Sequence, residues 1–323
     1  MLGLFFYLKF YALTLVQLEY IIALDNYRHF ALAAEKCFVT QPTLSMQIQK
    51  LEDSLGVLIF DRSKHPVQPT EIGKKILDQA RVTLSESQRI KEIIDEEKQD
   101  IKGNIRIGVI PTLAPYLIPL FISSFIEKYP YINLQISEHM TDSLIDLLRK
   151  DQLDIGILVT PLKEADLKEI PLFYEEFSAY VSHRHPMFDQ EKIKVEDLNA
   201  DGLWILNEGH CFRQQTLNIC NVKHSDRFNN RVLYESGSLE ALKKLVDKRG
   251  GYTLIPELFT FDMTKDDKNK LRHFAEPIPT REVGLVVKKS FVKNKMIKAL
   301  KDEINLMLPP TLLSKKNMNV IKF

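Results

Sequence analysis

The stretch Thr40 to Gly56, TQPTLSMQIQKLEDSLG, decides how the amino-terminal part of the chain is read. Thr40 suits an N-cap, whose side-chain oxygen takes a free backbone N–H. Pro42 suits the first helical turn, where its missing N–H leaves nothing unpaired. Leu44, Ile48, Leu51 and Leu55 then recur at spacings of 4, 3 and 4, one apolar stripe of a helix that Gly56 ends. Gln41, Thr43, Ser45, Gln47, Gln49 and Lys50 make up its other face. Taken alone, such a face is an ordinary solvated surface. It is also what a reading helix presents to DNA, because Gln bonds two edges of adenine at once and Thr or Ser reaches thymine or phosphate.

The neighbouring segments favour DNA. Leu15 to Asn26 places Leu15, Leu18 and Ile22 at helical spacing, and His29 to Lys36 forms a second short helix through Phe30, Ala33 and Ala34. Cys37-Phe38-Val39 turns the chain into the polar helix, the order of a helix-turn-helix. A β-like arm follows, Val57 to Phe60 and Val67 to Thr70, with Arg62 and Lys64 at its tip, the wing of a winged helix aimed at phosphate or the minor groove. The expected DNA contacts are therefore Gln41, Pro42, Thr43, Ser45, Gln47, Lys50, Arg62 and Lys64. From Thr14 to Lys75 seven Lys and Arg are matched by seven Asp and Glu, so binding rests on local placement, helix N-termini and duplication in a dimer rather than on a broad basic field.

Composition agrees with a folded intracellular protein. The 323 residues are 45% hydrophobic and 27% charged, enough apolar material for two or three domains. Lys and Arg number 44 against 43 Asp and Glu, a net charge of +1 that excludes a polycation of histone type. Three cysteines make no secreted disulfide framework, which points to a reducing, cytoplasmic setting. Met1 to Leu13 is nearly all apolar, with Lys9 its one charge; it is too short to span a bilayer and has no cleavage signal, so it reads as a leader. No membrane association is expected.

Glu71 to Gln99 is a long helix in which Ile76, Ala80, Thr83, Ser87, Ile90 and Ile94 alternate at spacings of 4 and 3. That is a two-stranded seam, weakened by Thr83 and Ser87, which would pair two readers; the plainer alternative is a helix packed on its own domain. From Ile105 the period turns strand-like. Strands at Ile105 to Ile110, Ile132 to Ile136 and Leu153 to Val159 alternate with helices from Pro111 to Phe125 and Asp142 to Leu148. A second set runs Glu176 to Ser182, Leu203 to Leu206, a helix after Cys211, Val232 to Glu235, a helix at Leu239 to Asp247, Tyr252 to Ile255 and a returning strand at Val283 to Val287. Alternation of this kind makes two α/β lobes with a site in the cleft between them.

At this point the chain resembles a LysR-type transcriptional regulator over nearly all its length from Thr14. The resemblance rests on Phe30 to Ala34, Thr40-Gln41-Pro42-Thr43-Leu44-Ser45, Leu51-Glu52 through Gly56-Val57, and Pro69-Thr70 with Gly73. It implies an α/β protein with an N-terminal winged helix-turn-helix at 14–73, a linker and dimerisation helix at 74–100, and a two-lobe effector domain like a periplasmic binding protein at 101–310. An apolar leader at 1–13 and a loose tail at 311–323 flank these. Met46 stands on the reading helix where the resembled group carries a smaller residue.

A narrower resemblance, to the peroxide-sensing branch of that family, lies in Asn207-Glu208-Gly209-His210-Cys211-Phe212-Arg213 with Cys220, in Ile110-Pro111-Thr112, in Thr141, and in Arg281-Glu282-Val283-Gly284. It implies Cys211 as the peroxidatic and Cys220 as the resolving cysteine, Thr112, Thr141 and His210 as the peroxide pocket, and Arg213 and Arg281 as supporting charges. Promoter DNA, RNA polymerase, a dimer of dimers, hydrogen peroxide as the signal and a cellular thiol as reductant are the implied partners. No cofactor and no metal are implied, and the role is activation of transcription rather than catalysis.

Spacing alone does not single out the cysteines, since two thiols nine positions apart in a reducing compartment are most often inert core residues. Context says more. Cys211 follows an expected strand and opens a helix, and the partial positive charge at a helix N-terminus, with Arg213 near, favours thiolate. Thiolate attacks the O–O bond to give sulfenic acid, which condenses with a second thiol. A bridge needs Cα atoms within about 7 Å, whereas eight helical residues between the thiols hold them near 13 Å apart at about 1.5 Å per residue. Closure then requires Arg213 to Ile219 to unwind, a second packing of the lobe.

Two other readings remain open. One keeps the regulator and gives it a small organic acid in the cleft, with structural cysteines; the other is a thiol peroxidase or solute-binding module whose amino-terminal helices only dimerise. Cys37 reads as a small core hydrophobe, His183-Arg184-His185 lacks the companions of a metal site, and Gly250-Gly251 is a turn before a strand.

Overall fold

The computed structural model describes residues 13–97, 101–220, 234, 236–313 and 318–321, and in it Thr40 caps its helix as expected while Thr14 proves to cap another. Thr14 closes a reciprocal box on α1 (Leu15–Tyr27), accepting from Gln17 N at 3.2 Å while its own N–H donates to Gln17 Oε1 at 3.1 Å. After α2 (Phe30–Lys36), Thr40 caps α3 (Gln41–Leu55), and Gly56 ends it in the left-handed conformation at φ 69°. Leu44, Ile48 and Leu51 are fully buried against Ile21, Leu24 and Ala33, about 1.5–3 kcal/mol for each large side chain.

The wing is shorter than expected, with β1 (Phe60–Asp61) pairing antiparallel to β2 (Gln68–Pro69). Buried Glu52 anchors its base, since Oε1 accepts from Ile59 N at 2.8 Å and Phe60 N at 3.1 Å. The long helix α4 (Glu71–Glu97) starts at Gly73's close approach to β1: an added Cβ there would lie 2.0 Å from the Ile59 carbonyl oxygen. Leu77 and Ala80 are buried in the same core as α1 and α3, and Ile76 and Leu84 pack against it. The expected seam is therefore divided. Its first half, with Ile76 and Ala80, packs on its own domain, because α1 lies alongside; farther on, Ile90, Ile93 and Ile94 are 51–65% exposed.

The chain separates into two compact units, one of Met1–Glu97 with Lys150–Gln152, the other of Lys98–Arg149 with Leu153–Phe323. In the second, β3 (Gly103–Val109), α5 (Ala114–Lys128), β4 (Ile132–Glu138), α6 (Thr141–Arg149) and β5 (Ile155–Thr160) follow in order. Then come β6 (Leu167–Val181), β7 (Lys192–Ile193), α7 (Cys211–Ile219), α8 (Leu239–Arg249), β8 (Tyr252–Pro256), α9 (Lys265–Lys268) and β9 (Leu271–Phe274). β10 (Ile278–Lys288), α10 (Asn294–Met307), α11 (Pro310–Leu313) and β11 (Met318–Val320) complete it.

β3 pairs parallel with β4 and β5, while β10 runs antiparallel between β5 and β6. β6 is shared: Leu167 to Glu176 pair with β10, and Phe177 to Val181 pair with β8 and β9. Two cores result. One holds Val109, Leu117, Phe121, Leu144, Ile157 and Leu300, the other Tyr180, Leu206, Phe212, Leu242, Tyr252 and Phe259.

Several expectations shift. The strand at Glu176 to Ser182 is the end of a 15-residue strand, and Leu203 to Leu206 makes only single bridges, to Tyr252 and Ser236. The helix expected from Pro111 begins at Ala114, after a turn in which Ala114 N donates to Ile110 O. Part of the segment taken for a loose tail is ordered as β11, parallel to β10 with Ile278 opposite Met318, because β10 offers it a free edge. The leader at 1–13 apart from Leu13, the end of the linker at 98–100, and the expected strand at 232–235 apart from Tyr234 lie outside the described residues. No described helix is long and apolar enough to cross a membrane.

Candidate functional site

Cys211 is the first residue of α7 and only 8% exposed, and its side chain belongs to the first lobe's core. From Phe212 onward the helix packs in the second lobe's core, where Cys220, directly after its last turn, is 2% exposed. Both thiols are free. One helix thus holds one thiol in each core, with its length between them.

A cavity of about 370 Å³ opens beside Cys211, lined by Thr141, Asp142, Glu208, His210 and Gln214 among others. Thr141 is the first residue of α6, and the loop ahead of α7 delivers His210 at the N-cap with no side-chain cap bond. Gly209 permits that approach at φ 91°, in the left-handed region.

Burial pushes the Cys211 thiol above its ordinary value, against pulls from the Thr141 hydroxyl, the Arg281 guanidinium and the backbone N–H groups of Phe212 and Cys211 itself. The expected resting thiolate is therefore corrected to a thiol in this packing, because desolvation outweighs the helix N-terminus. Thr141 Oγ1 is buried without a hydrogen bond of good geometry among the described residues, and its hydroxyl acts on the Cys211 thiol against the effect of burial. Burial holds His210 below its ordinary value and neutral at pH 7, and its Nε2 likewise has no partner among the described residues.

Arg281 supplies the site's cation. Wholly buried on β10, it donates from Nε to Glu175 Oε1 at 2.7 Å and from Nη1 to Thr112 Oγ1 at 3.0 Å, and its guanidinium lies 5.2 Å from the Phe212 ring centre. Thr112, in the turn before α5, thereby accepts from Arg281 and keeps its own proton to donate. Arg213 also lines the cavity beside Cys211, and its Nη1 donates to Leu206 O at 2.7 Å, which ties α7 to the preceding loop.

At the other end, burial pushes the Cys220 thiol up to about 12, eased by the Tyr252 hydroxyl, which also accepts from Asn199 N at 3.1 Å. Cys37 is half-buried beside the core of the amino-terminal unit, and burial pushes its thiol up too. The residues that sequence reasoning missed are Glu175 and Tyr252. Glu175 stands between Phe173 and Phe177 on the inward parity of β6, a carboxylate where the alternation calls for an apolar side chain, and that was its signal. Among the described residues no group of three or more His, Cys, Asp or Glu is set to hold a metal ion.

A second cavity, of about 170 Å³, lies between the lobes against Thr112, Tyr116, Glu138, Ser238 and Glu240. Tyr116 donates to Glu240 Oε1 at 3.0 Å. Two carboxylates line it.

In the first unit, Gln41, Pro42, Lys50 and Lys64 are exposed, while Thr43, Ser45 and Gln47 are half-buried. Thr43 Oγ1 lies 2.8 Å from Thr40 Oγ1, and Gln47 Oε1 accepts from Gln17 Nε2 at 3.4 Å. Arg62 is exposed in the turn between β1 and β2, as expected, and its Nη2 also donates to Glu52 Oε2 at 2.7 Å while its guanidinium lies 5.5 Å from the Phe30 ring centre, so it serves buried Glu52 as a countercharge.

The chain matches "Bacterial regulatory helix-turn-helix protein, lysR family" over residues 15–74 and "LysR substrate binding domain" over residues 98–306. It is 33% identical over 295 residues to the hydrogen peroxide-inducible genes activator of Haemophilus influenzae, covering 90% of this chain and 97% of that protein. A full-length OxyR variant from Pseudomonas aeruginosa is similar in structure, with TM-score 0.76 and 37% identity over 91% of this chain and 98% of that one. A hydrogen peroxide-bound OxyR variant from Corynebacterium glutamicum gives TM-score 0.57 and 28% identity over 92% and 94%.

Proposed function

Because this chain belongs to the LysR family of bacterial transcriptional regulators, we propose that it is an OxyR-like regulator that senses hydrogen peroxide through Cys211 and Cys220. The observation that carries this reading is the thiol of Cys211 at the head of α7, beside a cavity, with the Thr141 hydroxyl and the Arg281 guanidinium both pulling it toward the anion. The relatives named for peroxide, and the neighbour bound to it, support the same chemistry.

The thiol gives up its proton, the sulfur attacks one peroxide oxygen, the O–O bond breaks, and the leaving hydroxide takes a proton to become water. Thr141 and Thr112 are the hydroxyls available to steady the oxygens, and Arg281 the charge that offsets developing anion. The Cys220 sulfur then displaces the hydroxyl of the sulfenic acid, releasing a second water and closing the disulfide. Peroxide is reduced by two electrons and the two thiols are oxidised by two. A cellular thiol reverses the bridge by exchange.

Since α7 separates the sulfurs, closure requires the helix to unwind, and this repacking is the signal. The signal re-spaces two readers on double-stranded promoter DNA for RNA polymerase, in the cytoplasm, with Gln41, Pro42, Lys50 and Lys64 on the accessible DNA face and Thr43, Ser45 and Gln47 behind them. Ile90, Ile93 and Ile94 are the apolar positions on α4 suited to pair two copies, and two such dimers make the assembly. The alternative, an organic acid in the inter-lobe cavity, is disfavoured by Glu138 and Glu240, which repel an anion.

Mass spectrometry after one equivalent of peroxide tests the reading. Wild type should lose two hydrogens through a Cys211–Cys220 link, Cys211→Ser should bind operator yet ignore peroxide, and Cys220→Ala should stop at sulfenic or higher acids. A Cys211→Ser protein that still responds to peroxide would overturn it.

A further inference from the structure

Two side chains of α7 reach out of the helix at its middle. Arg213 holds the Leu206 carbonyl, and Gln215, wholly buried, donates from Nε2 to the Ile321 carbonyl at 3.1 Å. Ile321 follows β11 directly, and its own N–H donates to Thr280 O at 2.8 Å, one residue before Arg281 on β10. The last described residues therefore join the strand carrying the site's cation to the midpoint of the helix that separates the two thiols. Ile321 also packs against the second lobe's core. Gln215 Oε1 has no partner among the described residues, so within that core its amide is held on one side alone.

We propose that Gln215 and the carboxy-terminal strand form a latch that holds α7 wound and so sets how readily Cys211 and Cys220 join, with Gln215 a positioning residue. The proposal rests on the peroxide-sensing reading above. Gln215 lies midway between the two cysteines, in the stretch that must unwind before the sulfurs can meet, and a side chain at an unwinding position gives up its bond to the Ile321 carbonyl, so Ile321 then loses one of its two hydrogen-bonded anchors. The bond to Ile321 is thus present only with α7 wound. Whatever it contributes stabilises the dithiol form and not the disulfide.

The latch adds no chemistry of its own. Oxidation still takes two electrons from the two thiols to peroxide or, at equilibrium in a glutathione buffer, to one glutathione disulfide, which leaves as two thiols.

Full-length protein carrying Ile321→Pro loses the N–H that binds Thr280 while keeping the carbonyl; Gln215→Leu removes the amide at similar volume. Each is equilibrated in glutathione buffers, and the oxidised-to-reduced ratio is read by alkylation and mass spectrometry. Both variants should shift the ratio toward disulfide about tenfold, a reduction potential more negative by about 30 mV. Hydrogen exchange on wild type should show the Ile321 amide protected in the dithiol form and open in the disulfide form. A purely structural role weakens both forms alike and leaves the ratio unmoved. An unchanged ratio in both variants, or equal protection of Ile321 in the two forms, overturns the latch while leaving the sensor reading intact. Wild type that forms no Cys211–Cys220 bridge overturns both.

Discussion

Arg281 Nε and Glu175 Oε1 are 2.7 Å apart with both side chains at 0% exposure, and 105 residues separate them in the chain. Glu175 Oε2 also accepts from Leu258 N at 3.1 Å, so the carboxylate ties β6, β10 and the segment after β8 together. An ion pair this deep is fragile to single changes, because removal of one partner strands the other's charge without water.

Arg281→Met should therefore destabilise the protein by about 3–5 kcal/mol. The double variant Arg281→Met with Glu175→Leu should lose less than the single one. Urea unfolding of the four proteins of that cycle measures the coupling, and a double variant no better than Arg281→Met alone would contradict a buried charge as the cause.

Alkaline pH should unfold the protein partly through Cys220. Its folded thiol sits near 12 against an ordinary 9.0, so the folded state keeps a proton that the unfolded chain releases. The stability from this group is fully present below the unfolded value and is lost as pH climbs toward 12, at no more than about 1.4 kcal/mol per pH unit. Cys220→Ala should flatten the decline between pH 8 and 10 in urea midpoints taken under reducing conditions. An identical decline in the variant would assign the alkaline loss to other groups.

Glu257 provides the acid-side counterpart. Burial first, then repulsion from Glu176 and Glu175, raises its carboxyl to about 7 from an ordinary 4.5. The folded state prefers it protonated, so its contribution is complete below pH 4.5 and disappears as pH rises through 7. Glu257→Gln, which mimics the neutral acid, should match wild type in Tm near pH 4.5 and exceed it at pH 8. A Gln variant that is less stable at pH 8 would show that the charge is needed.

On the wing, Arg62 and Lys64 should fail differently. Lys64 is exposed at the tip, so Lys64→Ala should weaken binding to any DNA sequence and lower the salt slope by about 1. Arg62→Ala should act first on stability, since it leaves Glu52, which is 3% exposed, without its countercharge. Salt titrations of DNA binding alongside thermal melts separate the two; a large drop in salt slope with unchanged Tm for Arg62→Ala would show that residue acting as a DNA contact alone.

The amino-terminal unit was legible because its signals are local. Thr40 with Pro42, and Gly56, mark the ends of α3 within one turn, and the stripe through Leu44, Ile48 and Leu51 marks the buried face. The effector lobes were half legible. β6 hid its first nine residues behind Pro171 and the unalternating run LKEIPLF, in which Lys168 and Pro171 are exposed and only Leu167, Leu172 and Phe173 are buried. Helix α10 carries Ile297, Leu300 and Ile304 at helical spacing, but its lysine-rich outer face gives it no start signal, and its N-cap Lys293 makes no side-chain cap bond.

At the site, residues adjacent in sequence were read together, and those from distant elements came only with the resemblance. His210 and Cys211 share one turn, and Arg213 looked like the near charge by sequence; it lines the same cavity, with its Nη1 bonded to the carbonyl of Leu206. Only the sheet brings Arg281 close, and only the sheet reveals Glu175 as what keeps it there.

The sharing of β6 and β10 between the two halves of the effector unit limits how the molecule can change shape. Fifteen and eleven residues of continuous backbone act as rails that a swivel of one half against the other would have to bend, ladder bonds and all. A helix packed on those rails by its side chains shares no ladder bonds with them. Mechanical freedom in this part of the protein therefore belongs to what is mounted on the sheet, and α7 is mounted with an oxidisable sulfur at each end.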